Sequence, residues 1–209
     1  QAYLACISFV DYEVGRVLNA LENSDHKDNT VIVLWSDHGY RLGEKGTFAK
    51  HALWEEATNA PLMFSGPGLP EGKVIEQPVE MLSIYPTLLD LCDLPPYKRN
   101  EGESLLPIMM GQNNIKAEQV AITTYGMKNH AVRSNQFRYI QYEDGSEEFY
   151  NHLTDPNEWY NQASNPEYRK EKEQMKLLLP KVNAMWDINS YYNWQPYFKQ
   201  QKITTSQIP

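Results

Sequence analysis

Tyr3, Ile7, Val10, Val14, Val17 and Leu21 recur at spacings of three and four. That rhythm predicts an amphipathic helix over residues 2–22 with one apolar stripe, and Asp11, Glu13, Arg16 and Glu22 fall off it. Asn23-Ser24-Asp25 breaks the pattern, and Asp28-Asn29-Thr30 leads into Val31-Ile32-Val33-Leu34-Trp35. A short β-branched run without alternation predicts a strand buried on both faces of a parallel sheet. Helix followed by buried strand is half of a βαβ unit. Residues 52–58 fit a short helix, and Pro61-Leu62-Met63-Phe64 fits a second buried strand closed by Ser65-Gly66-Pro67-Gly68. Residues 79–91 read as a helix whose Pro86 is tolerated in a first turn, and Pro95-Pro96 ends it.

From about Val120 the period changes from helical to alternating. Residues 120–124, 131–134, 137–142 and 148–151 predict four short strands, with Glu143-Asp144-Gly145 as a hairpin signal. Asp155-Pro156-Asn157 marks a turn, residues 166–186 a last helix, and 189–209 an extended polar and aromatic tail. The chain therefore divides into an α/β piece (1–115), a small antiparallel-sheet piece with a terminal helix (116–188) and the tail (189–209).

Composition narrows the function classes. Of 209 residues, 41% are hydrophobic and 22% charged, which excludes disorder throughout. A net charge of −8 argues against a nucleic-acid partner. No apolar run approaches the roughly 18 residues that span a bilayer, so no membrane partner is expected. Cys6 and Cys92 make neither a disulfide framework nor a metal-type pair. The opening Gln-Ala-Tyr, without methionine or leader, reads as the start of a piece cut from a longer polypeptide.

Ser36-Asp37-His38-Gly39 follows the first strand at its carboxyl end, where open α/β sheets place their ligand sites. A carboxylate and an imidazole there can both ligate a divalent cation, the former suiting Ca²⁺ or Mg²⁺ and the latter Zn²⁺. The plainer alternative has Asp37 capping a turn and His38 bonding a loop carbonyl. Lys45 and Lys50, in Gly43-Glu-Lys-Gly-Thr-Phe-Ala-Lys-His51, could balance charge on a transferring sulfuryl or phosphoryl group, or be solvated loop lysines. His51 is a weaker candidate, since a histidine entering a helix is more often a cap or a core-edge donor.

The stretch Val33 to Lys50, continued by Leu53-Trp54-Glu55-Glu56 and Ala60-Pro61-Leu62-Met63-Phe64, resembles type I sulfatases, and more narrowly their iduronate-2-sulfatase-like branch. Supporting matches are Tyr85-Pro86-Thr87-Leu88-Leu89-Asp90-Leu91, Ser104-Leu-Leu-Pro107, Arg138-Tyr-Ile140 and Thr154-Asp-Pro-Asn-Glu158, so the likeness extends to about Leu179. It implies an alkaline-phosphatase-like α/β fold with a small C-terminal antiparallel α+β subdomain. It further implies one Ca²⁺ held in part by Asp37 and His38, with Lys50 on the sulfate. Tyr40 and Arg41 would lie at the pocket rim, and His130 and Arg133 in a subdomain that leans over the pocket and helps choose the sugar. Arg133 would meet a uronate carboxylate bidentately, or else form an ion pair within the subdomain. The substrate would be a sulfated sugar, from a polysaccharide or glycosaminoglycan-like polymer, and the location periplasmic or extracellular.

The family's nucleophile is the hydrated aldehyde of formylglycine, made from Cys or Ser in a Cys/Ser-x-Pro/Ala-x-Arg motif. This chain has no such motif; Ser65-Gly-Pro-Gly-Leu69 ends in Leu where Arg is required. The paired aspartates expected near a sulfatase N-terminus are also missing. The chain therefore reads as the C-terminal part of a sulfatase, inactive alone, whose partner is the N-terminal part. Two other readings stand beside it. One is a phosphatase, phosphodiesterase or phosphonate hydrolase of the same fold, using two transition metals. The other is a non-catalytic module. The negative charge opposes a polyanionic substrate at long range, and a local cationic pocket from Lys45, Lys50 and Arg41 would offset it.

Overall fold

A computed structural model describes residues 1–112 and 119–184. Helix α1 spans Ala2–Glu22, as its apolar period requires, yet none of its residues is buried. Strand β1 (Ile32–Trp35) pairs with β4 (Leu62–Ser65) in antiparallel register, Val33 opposite Phe64 and Trp35 opposite Leu62. This corrects the expectation of a parallel, doubly buried strand. A four-residue β-branched run encodes extension but not the direction of its partner. Leu34 and Trp35 are exposed, so no layer covers that end of the strand among the described residues.

Between these strands lie a two-residue ribbon, β2 (Arg41–Leu42) with β3 (Phe48–Ala49), and the one-turn helix α2 (Glu55–Thr58). Helix α3 (Ile84–Leu91) starts later than the expected 79–91, after a 3₁₀ turn at Met81–Ser83. Pro86 sits at its third position, where its missing N–H leaves no bond unmade. Thr87 Oγ1 donates to Ser83 O (2.6 Å) and accepts from Leu105 N (2.8 Å), tying α3 to the approach of α4 (Leu106–Met109).

The C-terminal piece is the antiparallel meander that the alternation predicts: β5 (Ala121–Thr124), β6 (His130–Arg133), β7 (Phe137–Gln141) and β8 (Glu147–Asn151), in that spatial order. Gly145, at φ 81°, supplies the left-handed residue that the β7–β8 turn needs. Alternation sends Val132, Tyr139 and Phe149 to one face, against Met175 of α5 (Arg169–Lys176). Ala131, Ile140 and Tyr150 go to the other face, against Ala52, Leu53, Trp54 and Ala57. The sheet is thus buried on both sides, and its second core is shared with the first piece.

Both outer edges of the sheet are occupied. On β5, Ile122 N donates to Glu80 Oε1 (2.7 Å). On β8, Phe149 N donates to Asn161 Oδ1 (3.0 Å), while Gln162 N donates to Phe149 O (2.8 Å). The last helix ends at Lys176, well short of the expected 186, because Leu179 precedes Pro180 and is biased away from helix. The piece boundary expected at 115/116 and the tail 189–209 both fall outside the described residues.

Candidate active site

Lys50 follows a strained residue. Ala49 sits at φ 76°, a left-handed conformation that costs a non-glycine residue about 1–3 kcal/mol and turns the chain sharply before the lysine. Three residues on, Leu53 and Trp54 are sealed in the core, so the segment 49–54 is held at both ends. Asp37 and His38 approach from the end of β1, where Ser36 N donates to Pro61 O (3.1 Å) and Ser36 Oγ to His38 O (3.0 Å). His38 Nε2 stands 3.5 Å from Asp37 Oδ1, and its Nδ1 is 2.6 Å from Gly39 O. A carbonyl only accepts, so Nδ1 is the donor of that bond and Nε2 is the ring nitrogen turned to Asp37.

Asp37, His38 and Lys50 line one cleft of about 990 Å³ between the two pieces. Its other walls come from the loop around Glu76 to Leu82 and from β5. His51 also lines it, its ring stacked on Tyr125 (centroids 5.5 Å apart). Burial and the neighbouring Lys50 ammonium push the His51 imidazole below its ordinary range. A carboxylate oxygen beside an imidazole nitrogen suits a divalent cation, so Asp37 and His38 are residues of this chain placed where they could hold one.

Several expected site residues lie elsewhere. Lys45 is buried: its ammonium donates to Tyr150 OH (3.1 Å) and to Glu158 O, and faces the Trp54 and Tyr150 rings at 4.8 and 4.7 Å. Burial lowers its pKa. Arg41 is likewise buried, donating to Thr47 Oγ1 and His51 O and standing over Trp54. Neither lines the cleft, which corrects the expected cationic pocket. Aromatic faces, hydroxyls and backbone carbonyls take the place of water around these two cations. Tyr40 is exposed and stacks on Tyr3 (5.3 Å). His130 is buried between Thr124 Oγ1 (2.8 Å) and Asn183 Oδ1 (2.7 Å), behind the cleft wall that Thr124 helps to form and not on its surface.

Arg133 does line the cleft, but its guanidinium is engaged. Nε donates to Glu55 Oε2 (3.1 Å), Nη1 to Ser134 O and Nη2 to His152 Nδ1 (3.0 Å). The ion pair crosses to α2, whereas the sequence reading placed any such pair within the small sheet. It belongs to a network absent from that reading. Arg138, 2% exposed, binds Glu55 and Glu158 and donates to Leu53 O (3.0 Å). Glu158 also accepts from Glu55 N (2.9 Å) and from His152 Nε2 (2.9 Å). Burial alone would raise both carboxyl groups; the facing guanidinium groups outweigh it and hold Glu55 and Glu158 below the usual carboxylate range. Glu55, His152 and Glu158 bring donor atoms within 4.8 Å of one another. Those atoms already accept from two guanidinium groups or are turned towards them, so a metal ion would meet two fixed cations. The cluster fits a structural lock, not a cation site.

A family model described as Sulfatase matches residues 1–94. A relative described as a sulfatase, from Formosa agariphila, is 64% identical over 202 residues, covering 97% of this chain and 40% of its own length. The chain belongs to the sulfatase family. Among solved structures, a 2-O GAG sulfatase superposes with a TM-score of 0.71 at 25% identity, over 96% of this chain and 42% of that one. A phosphonate monoester hydrolase of Agrobacterium radiobacter gives 0.73 at 25% identity, over 82% and 39%. The fold is therefore the alkaline-phosphatase-like fold of sulfatases. This sulfatase-family chain spans about two fifths of the length of the curated relatives it matches. No helix among the described residues is long and apolar enough to cross a membrane.

Proposed function

We propose that this chain supplies the C-terminal part of a formylglycine-dependent sulfatase, of the iduronate-2-sulfatase-like branch, that hydrolyses sulfate esters of a carbohydrate. The observation that carries the reading is the convergence of Asp37, His38 and Lys50 on one cleft. Asp37 and His38 would hold Ca²⁺ with ligands from the rest of the enzyme. Bound there, the ion would act as a Lewis acid on sulfate oxygens. The exposed Lys50 ammonium would face the same oxygens and favour the charge that builds on them. The sugar is a polysaccharide- or glycosaminoglycan-like unit, by likeness to the 2-O GAG sulfatase.

The nucleophile and the paired aspartates would come from the N-terminal part, which is also the partner for the exposed side chains of α1 and β1. The enzyme would work in the periplasm or outside the cell, which fractionation of the native host checks. The decisive experiment assays the full-length protein on a chromogenic aryl sulfate and on sulfated sugars. Lys50→Ala should lower kcat/KM roughly 10²- to 10³-fold. The 209-residue chain alone should show no turnover. Metal analysis separates the phosphonate-hydrolase reading, for which the structural likeness speaks: one Ca²⁺ supports a sulfatase, two transition-metal ions the alternative. Retention of full activity by Lys50→Ala would sink the assignment of that residue.

A further inference from the structure

We propose that Gly39 is a positioning residue for the cation site: because it has no side chain it can lie against α2, and its carbonyl then holds the His38 ring with Nε2 turned to Asp37. The proposal rests on Asp37 and His38 being metal ligands, and adds what sets their chemistry. A Cβ on Gly39 would lie 2.7 Å from Asn59 O and nearer still to Glu56 O, both backbone atoms that cannot swing away. Gly39 N donates to Ala57 O at 2.9 Å, so the close approach is also a bond. Any larger residue must push residues 38–40 off the carbonyl end of α2.

That contact decides a tautomer. Gly39 O sits 2.6 Å from His38 Nδ1 and can only accept, which selects Nδ1–H over the Nε2–H form that a free imidazole prefers. Nε2 is thereby held 3.5 Å from Asp37 Oδ1, where one cation could meet both atoms. The support beneath is rigid. Glu55 N is bonded to Glu158 Oε2, and the Glu55 carboxylate is gripped by Arg133 and Arg138 of the small sheet. The buried network thus reaches His38 through one short helix and one glycine.

The test uses full-length protein labelled with ¹⁵N-histidine, read by long-range ¹H–¹⁵N spectra at about pH 8, above the ordinary histidine range. Without added metal, His38 should show Nδ1–H, and Ca²⁺ should shift its Nε2 resonance. Gly39→Ala should lose the Nδ1–H signature and weaken Ca²⁺ binding, measured by titration calorimetry, roughly 10- to 100-fold. Lys170→Ala on the exposed side of α5, outside the cleft, is the control that should change neither. Nε2–H in the unmodified, metal-free protein overturns the proposal, and needs no variant to fold. So does a Gly39→Ala protein that keeps both the tautomer and the affinity. Failure of the unmodified protein to bind Ca²⁺ would instead remove the metal assignment and leave the tautomer result standing.

Discussion

The two ends of the chain use similar apolar content to opposite effect. In the small sheet, Val132, Tyr139, Ile140 and Phe149 are fully buried, sandwiched between α5 and the Ala52–Ala57 segment. In α1, Leu4, Phe9, Val10, Tyr12 and Val17 are exposed although the helix is regular throughout. Amphipathic pattern specifies an element; burial requires a second layer, and of these two regions only the small sheet has its layers among the described residues. The difference also separates kinds of polar chemistry. Ion pairs of the small sheet are buried and shared among several groups, whereas Arg16 and Glu13 on α1 meet in water, where such a pair contributes at most a few tenths of a kcal/mol.

The largest predicted effect attacks the buried network. Arg138→Met leaves the Glu55 and Glu158 carboxylates facing each other with one guanidinium fewer, and should destabilise the protein by about 3–5 kcal/mol in urea unfolding. Next, in the 209-residue chain by itself, Phe149→Ala should cost about 3–4 kcal/mol, while Phe9→Ala in α1 should stay within about 0.5 kcal/mol. Equal losses at these two phenylalanines would erase the contrast between the regions. A smaller effect is pH-dependent. Glu147 accepts from Tyr139 OH, Lys172 and Lys176; burial opposes ionisation, but these hydrogen bonds prevail and bring its pKa from 4.5 to about 2. The unfolded chain therefore binds the proton first on acidification. The stability is present above about pH 4.5 and lost between there and about pH 2, by roughly 1 kcal/mol once solvent screening is counted. Glu147→Gln should flatten the unfolding midpoint over that window. Smallest of all, Ala49→Gly relieves the left-handed φ and should be neutral or stabilising by up to about 1 kcal/mol in thermal unfolding.

Much of the fold was legible because it is local. The three–four spacing from Tyr3 to Leu21 and the alternation from Ala121 to Asn151 each state their own element. Pairing direction was not: β1 carries no mark that distinguishes an antiparallel from a parallel neighbour. The cleft residues Asp37, His38 and Lys50 were legible as a motif of contiguous sequence. Lys45 and Arg41 misled because cationic loop residues ordinarily stay in water, and spacing alone does not show that the Trp54 ring folds back over both or that Tyr150 arrives from far off in sequence. Glu55, Arg138, His152 and Glu158 were missed for the same reason. Their meaning exists only once residues about a hundred positions apart are adjacent. The available signal was an acidic residue set directly after a buried Leu-Trp pair, and another closing an Asp-Pro turn.

The occupied borders of the four-stranded sheet have a bearing on how the protein behaves in company. A meander of four strands leaves two rows of backbone groups open to any passing extended chain, including another copy of itself. Here Glu80 puts a carboxylate on the β5 border, and Asn161 with Gln162 takes the β8 border at Phe149. A would-be fifth strand meets a negative charge on one flank and an already spoken-for amide on the other. The largest sheet among the described residues is thereby screened from strand-by-strand self-assembly, whichever larger structure its outer surfaces join.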